Sequence, residues 1–578
     1  MTHIYNDPAD FAEEALRGFV TLHEGYVRQV PGGVVRRRPG RNGKTVVIFG
    51  GGSGHYPAFA GLVGPGFGDG SVVGNIFTSP SAQHAYSVGR QANRGGGVIF
   101  SFGNYAGDVM NFGIACEQLA AEGIDARNVI VTDDVLSASV EEIHKRRGIA
   151  GDFVVFKVLA AAAETGADIN EVERLGRLAN DRTRSAGIAF SGCSFPGSPD
   201  PLFTVEPGHM AVGLGIHGEP GLETVRLQTA EEIGKMLVIT VLAERPAASS
   251  DRVGVILNGL GSTKYEELFL LWGEIVPRLA EAGLQVVEPE VGELVTSLDM
   301  AGVSLSLVWL DEELEALWST PVDTPAFRKG FINTASTDSE DDEPVEDAVV
   351  DQIIQGTPIS QRAAADVVAL IGASLGTVSE NEETLAQLDA VAGDGDHGRG
   401  MVRGLDAALT AATYAAEQGA GAGTTLTRAG EAWAEHAGGT SGVLWGSALS
   451  AAGQMLGDET AIDAPTILKA TEAFAVTLTR LGKATVGDKT MVDAVTPFVV
   501  ELRTALNSSQ PVSDALNVAA LAASSAAKAT ADLLPKLGRA RPHAQKSLGS
   551  PDPGAISFAL IVSALADSVI SGRKAQAK

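Results

Sequence analysis

The sequence contains little cysteine and comparatively few basic residues. Cys116 and Cys193 are its only cysteines, too few for a disulfide framework or a four-thiolate zinc site. With 71 acidic against 43 basic side chains, the net charge of -28 argues against nucleic acid or an anionic membrane as the main partner. A small molecule is therefore the better candidate for a ligand.

Segments typical of export or membrane insertion are also missing. The N-terminus has no basic flank followed by an apolar block, so we expect a cytoplasmic protein. The longest apolar segment near the C-terminus, GAISFALIVSALADSVI, is interrupted by serines and by Asp567. It predicts a buried helix and not a membrane span.

The length of the chain and the change in residue pattern along it predict two different units. At 578 residues the chain is too long for one core. From about Thr45 to Leu310, short β-rich runs alternate with helical segments, which predicts α/β layers around a largely parallel sheet. Beyond Gln361 the runs are alanine-rich, which predicts an all-α unit. The predicted boundaries are an α/β domain over 1–330, an acidic linker over 331–355 and an all-α domain over 356–578.

Chemically suggestive side chains follow several predicted strands of the α/β half. The strand TVVIF runs into Gly50 to Gly54 and then His55, GVIFSF leads to Asp108, and VIVT leads to Asp133 and Asp134. Ligands of open α/β sheets bind beyond the carboxyl ends of strands, so we expect these groups to converge. A tight turn between strand and helix remains the alternative for the glycine run.

A second histidine lies further along the same half, in GLGIHGEPG. This segment places His217 between glycines, with Glu219 two residues later. A glycine-flanked imidazole is sterically open, which suits a group that touches a substrate carbonyl or hydroxyl. A structural loop histidine remains the alternative.

The helical half contains a cluster of carboxylates and a glycine-rich turn. LDAVAGDGDHG places Asp389, Asp394 and Asp396 within eight residues, which suits Mg²⁺, although a loop of Asx turns is the alternative. GGTSG, Gly438 to Gly442, offers amides and hydroxyls to phosphate oxygens.

These motifs occur in an order that resembles one protein family. GGGSGH, NYAGDVMNF, TDDV, RRGIAG, GLGIHGEPG and TSLDMAGVSLSL are similar to the substrate-binding subunit of dihydroxyacetone kinases. LDAVAGDGDHGRGM, GGTSGVLWGSAL, GDKTMVDAVTPF and GSPDPGA are similar to the nucleotide-binding domain of the same family. Fusion of both in one chain resembles the ATP-dependent branch. The resemblance implies two α/β subdomains divided near residues 185–200, followed by a helical barrel.

The resemblance also implies roles for residues of the α/β half. His217 is expected to bind the carbonyl carbon of a short-chain ketose covalently, as a hemiaminal. Asp108 would accept the proton of the hydroxyl that attacks ATP, and His55 would donate to or accept from the bound substrate. Backbone near Gly52 and Ser53 would line the pocket. The implied activity is phosphorylation of a terminal hydroxyl of the ketose.

For the helical half, the resemblance implies an ATP site with two Mg²⁺ ions. Asp389, Asp394 and Asp396 would bind the metal ions that bridge the phosphates. The family also forms homodimers, and we expect the ATP domain of one chain to serve the other. The expected nucleotide-binding residues are His397, Gly398, Gly439, Thr440, Ser441, Gly442, Thr490, Met491, Asp552 and Gly554.

One departure from the family pattern bears on the substrate. A lysine often precedes the Asn-Tyr pair, but Gly103 takes its place here. We expect open space at this position and a pocket for a longer ketose such as erythrulose, instead of or besides dihydroxyacetone. Two alternatives stay open: an FAD-AMP lyase that forms a cyclic product, and a non-catalytic ketose-sensing coregulator.

Overall fold

The chain forms two compact units, Met1–Ser339 and Glu340–Lys578. The computed structural model describes residues 3–576 except 199, 220, 248, 333–352, 354, 394 and 538–544. Most of the predicted acidic linker, 331–355, lies outside the described residues.

The first unit begins with helix α1 (Phe11–Leu22) and a six-stranded sheet. Its strands are β1 (Val27–Val30), β2 (Gly33–Arg36), β3 (Val46–Ser53), β4 (Gly70–Ile76), β5 (Val98–Gly103) and β6 (Ala126–Val131). They are ordered β1-β2-β4-β3-β5-β6, with β4, β3, β5 and β6 mutually parallel and β1 and β2 antiparallel at one edge. The parallel strands therefore end at one edge of the sheet.

Helices cover both faces of this sheet. They are α2 (Ala82–Ala92), α3 (Ala106–Ala121), α4 (Gly151–Thr165) and α5 (Ile169–Asp181). Val46 and Ile48 of β3 pack in the core that contains α2 and α3, whereas Val47 and Phe49 pack with α4 and α5. Alternate residues of a strand point to opposite faces, which explains why all four residues Val46–Phe49 are apolar.

The second sheet of the same unit is mostly antiparallel. Its strands are β7 (Thr183–Ala189), β8 (His209–Val212), β9 (Glu223–Arg226), β10 (Arg252–Gly259), β11 (Gln285–Val286), β12 (Glu290–Gly292) and β13 (Gly302–Trp309). The pairs β9-β8-β7-β13-β10 are antiparallel, and only β11 and β12 pair parallel to β10. The prediction of a largely parallel sheet is wrong here, because most of these strands are joined without the crossover helix that parallel pairing requires.

Helix α4 lies between the two sheets. This position explains why its residues are almost all apolar. Residues Gly151–Ala163 are all buried, and the helix contacts β3, β5, β6, β7 and β13. A helix that is apolar on every side is typical of such a central position. The remaining elements of the unit are α6 (Ala230–Leu242) and α7 (Tyr265–Glu281) on the outer face of the second sheet, α8 (Glu312–Trp318), and the short strands β14 (Val322–Asp323) and β15 (Arg328–Lys329).

The second unit is helical, as predicted. The described residues form α9 (Pro358–Glu380), α10 (Glu382–Ala390), α11 (His397–Glu417), α12 (Ala422–Ala437), α13 (Gly439–Leu456), α14 (Ala464–Gly482), α15 (Val492–Asn507), α16 (Val512–Ala529) and α17 (Pro553–Gln576). From α11 onward each helix packs on the next, α17 returns to α9, and α9 packs on α11. The helices therefore close into a ring, with Trp433 and Trp445 stacked at 5.0 Å in its core.

Two helices of this ring are long and apolar enough to cross a membrane by length and composition, Pro358–Glu380 and Pro553–Ile570. The second packs Phe558, Ile561 and Val562 into the core of the ring. The prediction of a buried helix at this position is confirmed in part, since 44% of the segment Pro553–Ile570 is buried.

Candidate functional site

Two histidines meet at the edge where the parallel strands end. His55 follows β3, and His217 lies in a turn after β8. Their Nε2 atoms are 2.9 Å apart. The Nδ1 atom of His55 lies 2.7 Å from the carbonyl oxygen of Thr296, and Nδ1 of His217 lies 3.0 Å from Oε1 of Glu219. Each ring is thus held through Nδ1, and the two Nε2 atoms face each other.

The partners of the two rings constrain their protons. A carbonyl and an ionised carboxylate only accept, so both Nδ1 atoms carry hydrogen. The Nε2 atoms share a hydrogen bond only when one ring is an imidazolium. Burial, followed by the nearby His217, lowers the pKa of His55 to about 3. Burial therefore disfavours a positive charge on His55, and the carboxylate of Glu219 faces the ring of His217.

Glu219 fixes the position of His217. Its Oε2 accepts the backbone N–H of His217 at 3.0 Å, while Oε1 faces Nδ1. Burial alone would raise the pKa of Glu219, but the charge and the hydrogen bond of His217 outweigh it and hold that pKa below its ordinary value. The carboxylate therefore stays ionised and stabilises a positive charge on the His217 ring.

Aromatic rings enclose the histidine pair. Phe77 stacks on His55 at 5.1 Å and meets His217 edge-on at 5.2 Å, and Tyr105 meets His217 edge-on at 4.6 Å. The Tyr105 hydroxyl donates to the carbonyl of Gly148 at 3.0 Å. These rings restrict the approach to the Nε2 atoms.

Asp108 lies in the first turn of α3, directly after β5. Its side chain is buried, and Oδ1 accepts no hydrogen bond from the residues that the structure describes. Burial raises the pKa of Asp108 to about 7, while a hydrogen bond from Ser79 and the charge of His217 act in the opposite direction. A carboxyl that titrates near neutral pH suits a general base.

The structure brings three of the predicted groups together and binds the two others to the loop before α4. His55, His217 and Asp108 gather at the strand ends. Asp133 instead accepts the backbone N–H groups of Ile149 and Gly151 at 2.9 and 2.8 Å. Asp134 pairs with Arg147 at 2.8 Å. Both of these carboxylates hold the loop before α4.

Gly52 and Ser53 lie within β3, beside the segment after β4. A Cβ at Gly52 would lie 2.5 Å from the backbone nitrogen of Thr78, so only glycine fits. The Ser53 hydroxyl donates to the carbonyl of Gly74 at 2.6 Å. The glycine run thus serves as a tight connection and also delivers His55 to the site.

The space at Gly103 differs from the expectation. A Cβ at this position would lie 3.0 Å from Cε2 of Tyr105 and 3.2 Å from the carbonyl oxygen of Gly148. The prediction of open space is wrong, because Tyr105 and the backbone before α4 fill it. The third nearest atom is Oδ2 of Asp152, 3.3 Å from that Cβ.

Of the predicted metal ligands, Asp389 lies at the end of α10 and Asp396 directly precedes α11. Asp394 lies outside the described residues, and no group of three ligating side chains is found among the residues that are described. Oδ2 of Asp389 accepts the Gly395 backbone N–H at 2.9 Å. Desolvation and the neighbouring Asp389 carboxylate both raise the pKa of Asp396. Two neighbouring carboxylates that repel each other fit a bound cation, and carboxylate oxygens are the ligands that Mg²⁺ prefers.

The glycine-rich turn of the helical unit forms the start of α13. Gly439, Thr440 and Ser441 are exposed at this N-terminus, and Gly442 is buried behind them. Free backbone N–H groups at a helix N-terminus attract anions, so this placement suits a phosphate contact.

The other predicted nucleotide residues are more strongly tied to the fold. Nε2 of His397 lies 3.0 Å from the Ser557 hydroxyl, which joins α11 to α17. A Cβ at Gly398 would lie 2.1 Å from the carbonyl oxygen of Glu382, so this glycine permits close packing of α10. The packing of the helices therefore explains the residue types at His397 and Gly398, independently of any nucleotide contact.

Thr490, Met491, Asp552 and Gly554 lie around the starts of α15 and α17. The Thr490 backbone N–H donates to Asp493 at 2.8 Å, and Met491 is buried. Asp552 accepts the Ala555 N–H at 2.7 Å, and burial raises its pKa to about 7. A Cβ at Gly554 would lie 3.2 Å from Oδ1 of Asp552. The structure therefore brings these four residues to one place, beside Asp493.

Comparison with known proteins agrees with this arrangement. A Dak1 domain matches residues 17–326, and a DAK2 domain matches residues 391–567. The D-erythrulose kinase of Mycolicibacterium smegmatis is 52% identical over 576 residues, covering 98% of this chain and 99% of that protein. The L-erythrulose kinase of Pectobacterium atrosepticum is 51% identical over 573 residues, covering 98% of this chain and 96% of that protein.

A solved structure extends the similarity to the fold. The dihydroxyacetone kinase from C. freundii, in complex with AMP-PNP and Mg²⁺, is 28% identical, has a TM-score of 0.52, and covers 98% of this chain and 99% of its own. The sequence resemblance is thereby confirmed over nearly the whole length. The chain belongs to the dihydroxyacetone kinase family and carries its Dak1 and DAK2 domains in a single polypeptide.

Proposed function

We propose that this protein is an ATP-dependent kinase that phosphorylates a terminal hydroxyl of a short-chain ketose, erythrulose or dihydroxyacetone. The observation that carries the proposal is the His217–Glu219 pair, which faces His55 beside the buried carboxyl of Asp108. The named activities of the erythrulose kinase relatives and of the C. freundii enzyme support the reaction class. Because D- and L-erythrulose kinases are almost equally similar to the chain, the enantiomer stays undecided.

We propose that the ketose is captured covalently by His217. With the proton shared by the two Nε2 atoms held on His55, the lone pair on Nε2 of His217 attacks the carbonyl carbon. The C=O π electrons move to oxygen, which takes the proton from His55 and becomes the hydroxyl of a hemiaminal. The positive charge moves to the His217 ring and faces Glu219. A polyol without a carbonyl cannot form this bond, so the capture selects ketones.

Asp108 then prepares the acceptor hydroxyl of the captured ketose. In its ionised form, the carboxylate accepts the proton of the hydroxyl that attacks the γ-phosphoryl group of ATP. Its low solvent exposure excludes water that would compete for that proton. We assign the general base to Asp108 on this basis.

The helical unit is proposed to supply the nucleotide. Asp389 and Asp396, with Asp394, would hold Mg²⁺, and the start of α13 would contact phosphate oxygens. Bound Mg²⁺ offsets the charge of the transferring phosphoryl group. The AMP-PNP and Mg²⁺ complex of the C. freundii relative supports this assignment. The two metal ions, the cytoplasmic location and the homodimer in which one chain's ATP domain serves the other stay predictions.

A substrate panel tests the proposed function. ADP release with Mg²⁺-ATP should occur with dihydroxyacetone or with an erythrulose enantiomer and should be absent with glycerol, which has no carbonyl to capture. NMR of the product identifies the phosphorylated hydroxyl. Equal turnover of glycerol would contradict carbonyl capture. No ketose phosphorylation, together with a manganese-dependent cyclic product from FAD, would instead favour the lyase.

The titration of Asp108 predicts the pH dependence of the kinase. Because the base acts only when ionised and its pKa is about 7, kcat/KM for the ketose should rise with pH through about 7. Ser79→Ala removes a hydrogen bond that lowers this pKa, so the inflection of the pH profile should move upward. An inflection that stays in place in Ser79→Ala, or persists in the residual activity of Asp108→Asn, would contradict the assignment.

A further inference from the structure

We infer that Asp152 recognises a hydroxyl group of the ketose and sets which ketose the enzyme prefers. This inference rests on the proposed function, since it concerns the substrate of the same site.

Asp152 is a buried carboxyl with an unused hydrogen-bonding atom. It lies in the first turn of α4, is 2% exposed, and its Oδ1 has no hydrogen-bond partner among the described residues. The neighbouring Asp133 is equally buried, yet it accepts two backbone N–H groups, from Ile149 and Gly151. Burying an unpaired carboxyl destabilises a fold, so an atom left in this state points to a ligand.

Two glycines make room for this carboxyl. A Cβ at Gly148 would lie 2.6 Å from Oδ1 of Asp152, and a Cβ at Gly103 would lie 3.3 Å from Oδ2. A side chain at position 148 would therefore displace the carboxyl, and a long one at position 103 would cover it. The absence of both side chains leaves the carboxyl beside the end of β5.

The same place adjoins the catalytic groups. Asp108 starts the helix on one face of the sheet and Asp152 starts the helix on the other, so the two carboxyls flank the end of β5, where open α/β sheets bind ligands. Tyr105 connects them to His217, because its ring meets His217 at 4.6 Å and its Cε2 lies 3.0 Å from the Cβ position of Gly103. Asp152 thus lies about one aromatic side chain away from the ring proposed to capture the carbonyl.

The chemistry of the carboxyl suits a sugar hydroxyl. Burial, together with the carboxylates of Asp133 and Asp108, raises the pKa of Asp152 well above its ordinary value. In its neutral form the group both donates and accepts, as a hydroxyl does. Erythrulose carries a fourth carbon and a further hydroxyl that dihydroxyacetone lacks. A site built to bind the additional hydroxyl of erythrulose disfavours dihydroxyacetone, because the Asp152 carboxyl is left unpaired when dihydroxyacetone is bound.

The test compares kcat/KM for erythrulose with kcat/KM for dihydroxyacetone in full-length variants. In Asp152→Ala the ratio should fall by about tenfold to a hundredfold, the usual effect of losing one buried hydrogen bond. Asp152→Asn keeps a neutral donor and acceptor and should retain most of the ratio. Asp69→Ala is the matched control, because it removes a buried carboxyl that is bonded to Lys44 and the Val47 N–H at the opposite end of the parallel strands, and should leave the ratio unchanged while lowering the unfolding temperature.

A second readout separates recognition from structure. If Asp152 serves the substrate, Asp152→Ala should unfold at a temperature no lower than the wild type, since it removes an unpaired buried group. An unchanged ratio, or equal losses on both ketoses with a lowered unfolding temperature, would overturn the inference. A wild type that phosphorylates neither ketose would overturn the proposed function and this inference with it, whereas an active enzyme with an unchanged ratio in Asp152→Ala overturns this inference alone.

Discussion

Replacing His217 by alanine is expected to lower kcat/KM for the ketose by about a thousandfold or more, as loss of a nucleophile does in other enzymes. The reason is geometric: Nε2 of His217 is the atom that faces His55, while Nδ1 is fixed by Glu219. His55 is also held through Nδ1, but by the carbonyl oxygen of Thr296 instead of a carboxylate. ADP release at several ketose concentrations measures the loss, and the ketose-dependent rise of the unfolding temperature should vanish with it.

His209→Ala is the matched control for this variant. His209 is the first residue of β8, in the same sheet, and the hydrogen-bond and ion-pair partners of its ring among the described residues are Pro207 and Glu206. Its removal should change kcat/KM by less than about twofold, as surface substitutions usually do. If His217→Ala retained ketose turnover while staying folded, covalent capture by this ring would be ruled out.

Much of the ketose site could be predicted because parallel strands end at one edge. His55 and Asp108 follow β3 and β5, and both are found there. Their partners could not be predicted in the same way. Thr296, which binds Nδ1 of His55, lies 241 residues further along the chain, in a loop of the second sheet. Only the three-dimensional fold brings such distant segments together.

The direction of the strands in the second sheet was also beyond the sequence pattern. Apolar runs separated by helical segments are typical of parallel sheets, but several of these strands are joined by loops. His217 lies in one such loop, after β8. Its neighbour Glu219 was visible in the sequence, yet its role as the ring's anchor depends on the turn that folds the two side chains together.

Residue types alone did not reveal what surrounds Gly103. The missing side chain suggested open space, whereas Tyr105 and Gly148 close around the position. His397 shows the same limit in the helical unit. The family resemblance implied a nucleotide contact for it, and the structure adds a bond from its ring to Ser557 that the motif did not reveal. Side-chain direction is set by packing, which a linear motif does not contain.

Asp389→Asn is expected to abolish Mg²⁺-dependent ATP binding and to lower phosphoryl transfer by about a hundredfold or more, because a proposed carboxylate ligand is lost. Asparagine keeps an oxygen that can accept the Gly395 N–H, so the turn before α11 should stay folded. The measurement is the rise of the unfolding temperature with ATP, with Mg²⁺ and after its removal by EDTA. The wild type should lose most of its rise on metal removal, and Asp389→Asn should lack it from the start.

Asp406→Asn provides the matched control, since it removes one exposed carboxylate from α11 in the same unit. This variant should keep both the Mg²⁺-dependent rise of the unfolding temperature with ATP and the kcat of the wild type. The comparison separates the loss of a metal ligand from the loss of one negative charge anywhere on the unit. The effect of Asp389 on Asp396 predicts a change in stability as well. Beyond the effect of burial, Asp389 raises the pKa of Asp396, which shows that the two carboxylates repel each other. Asp389→Asn should therefore be at least as stable as the wild type when Mg²⁺ is removed. A variant that binds Mg²⁺-ATP as the wild type does would show that Asp389 only shapes the turn.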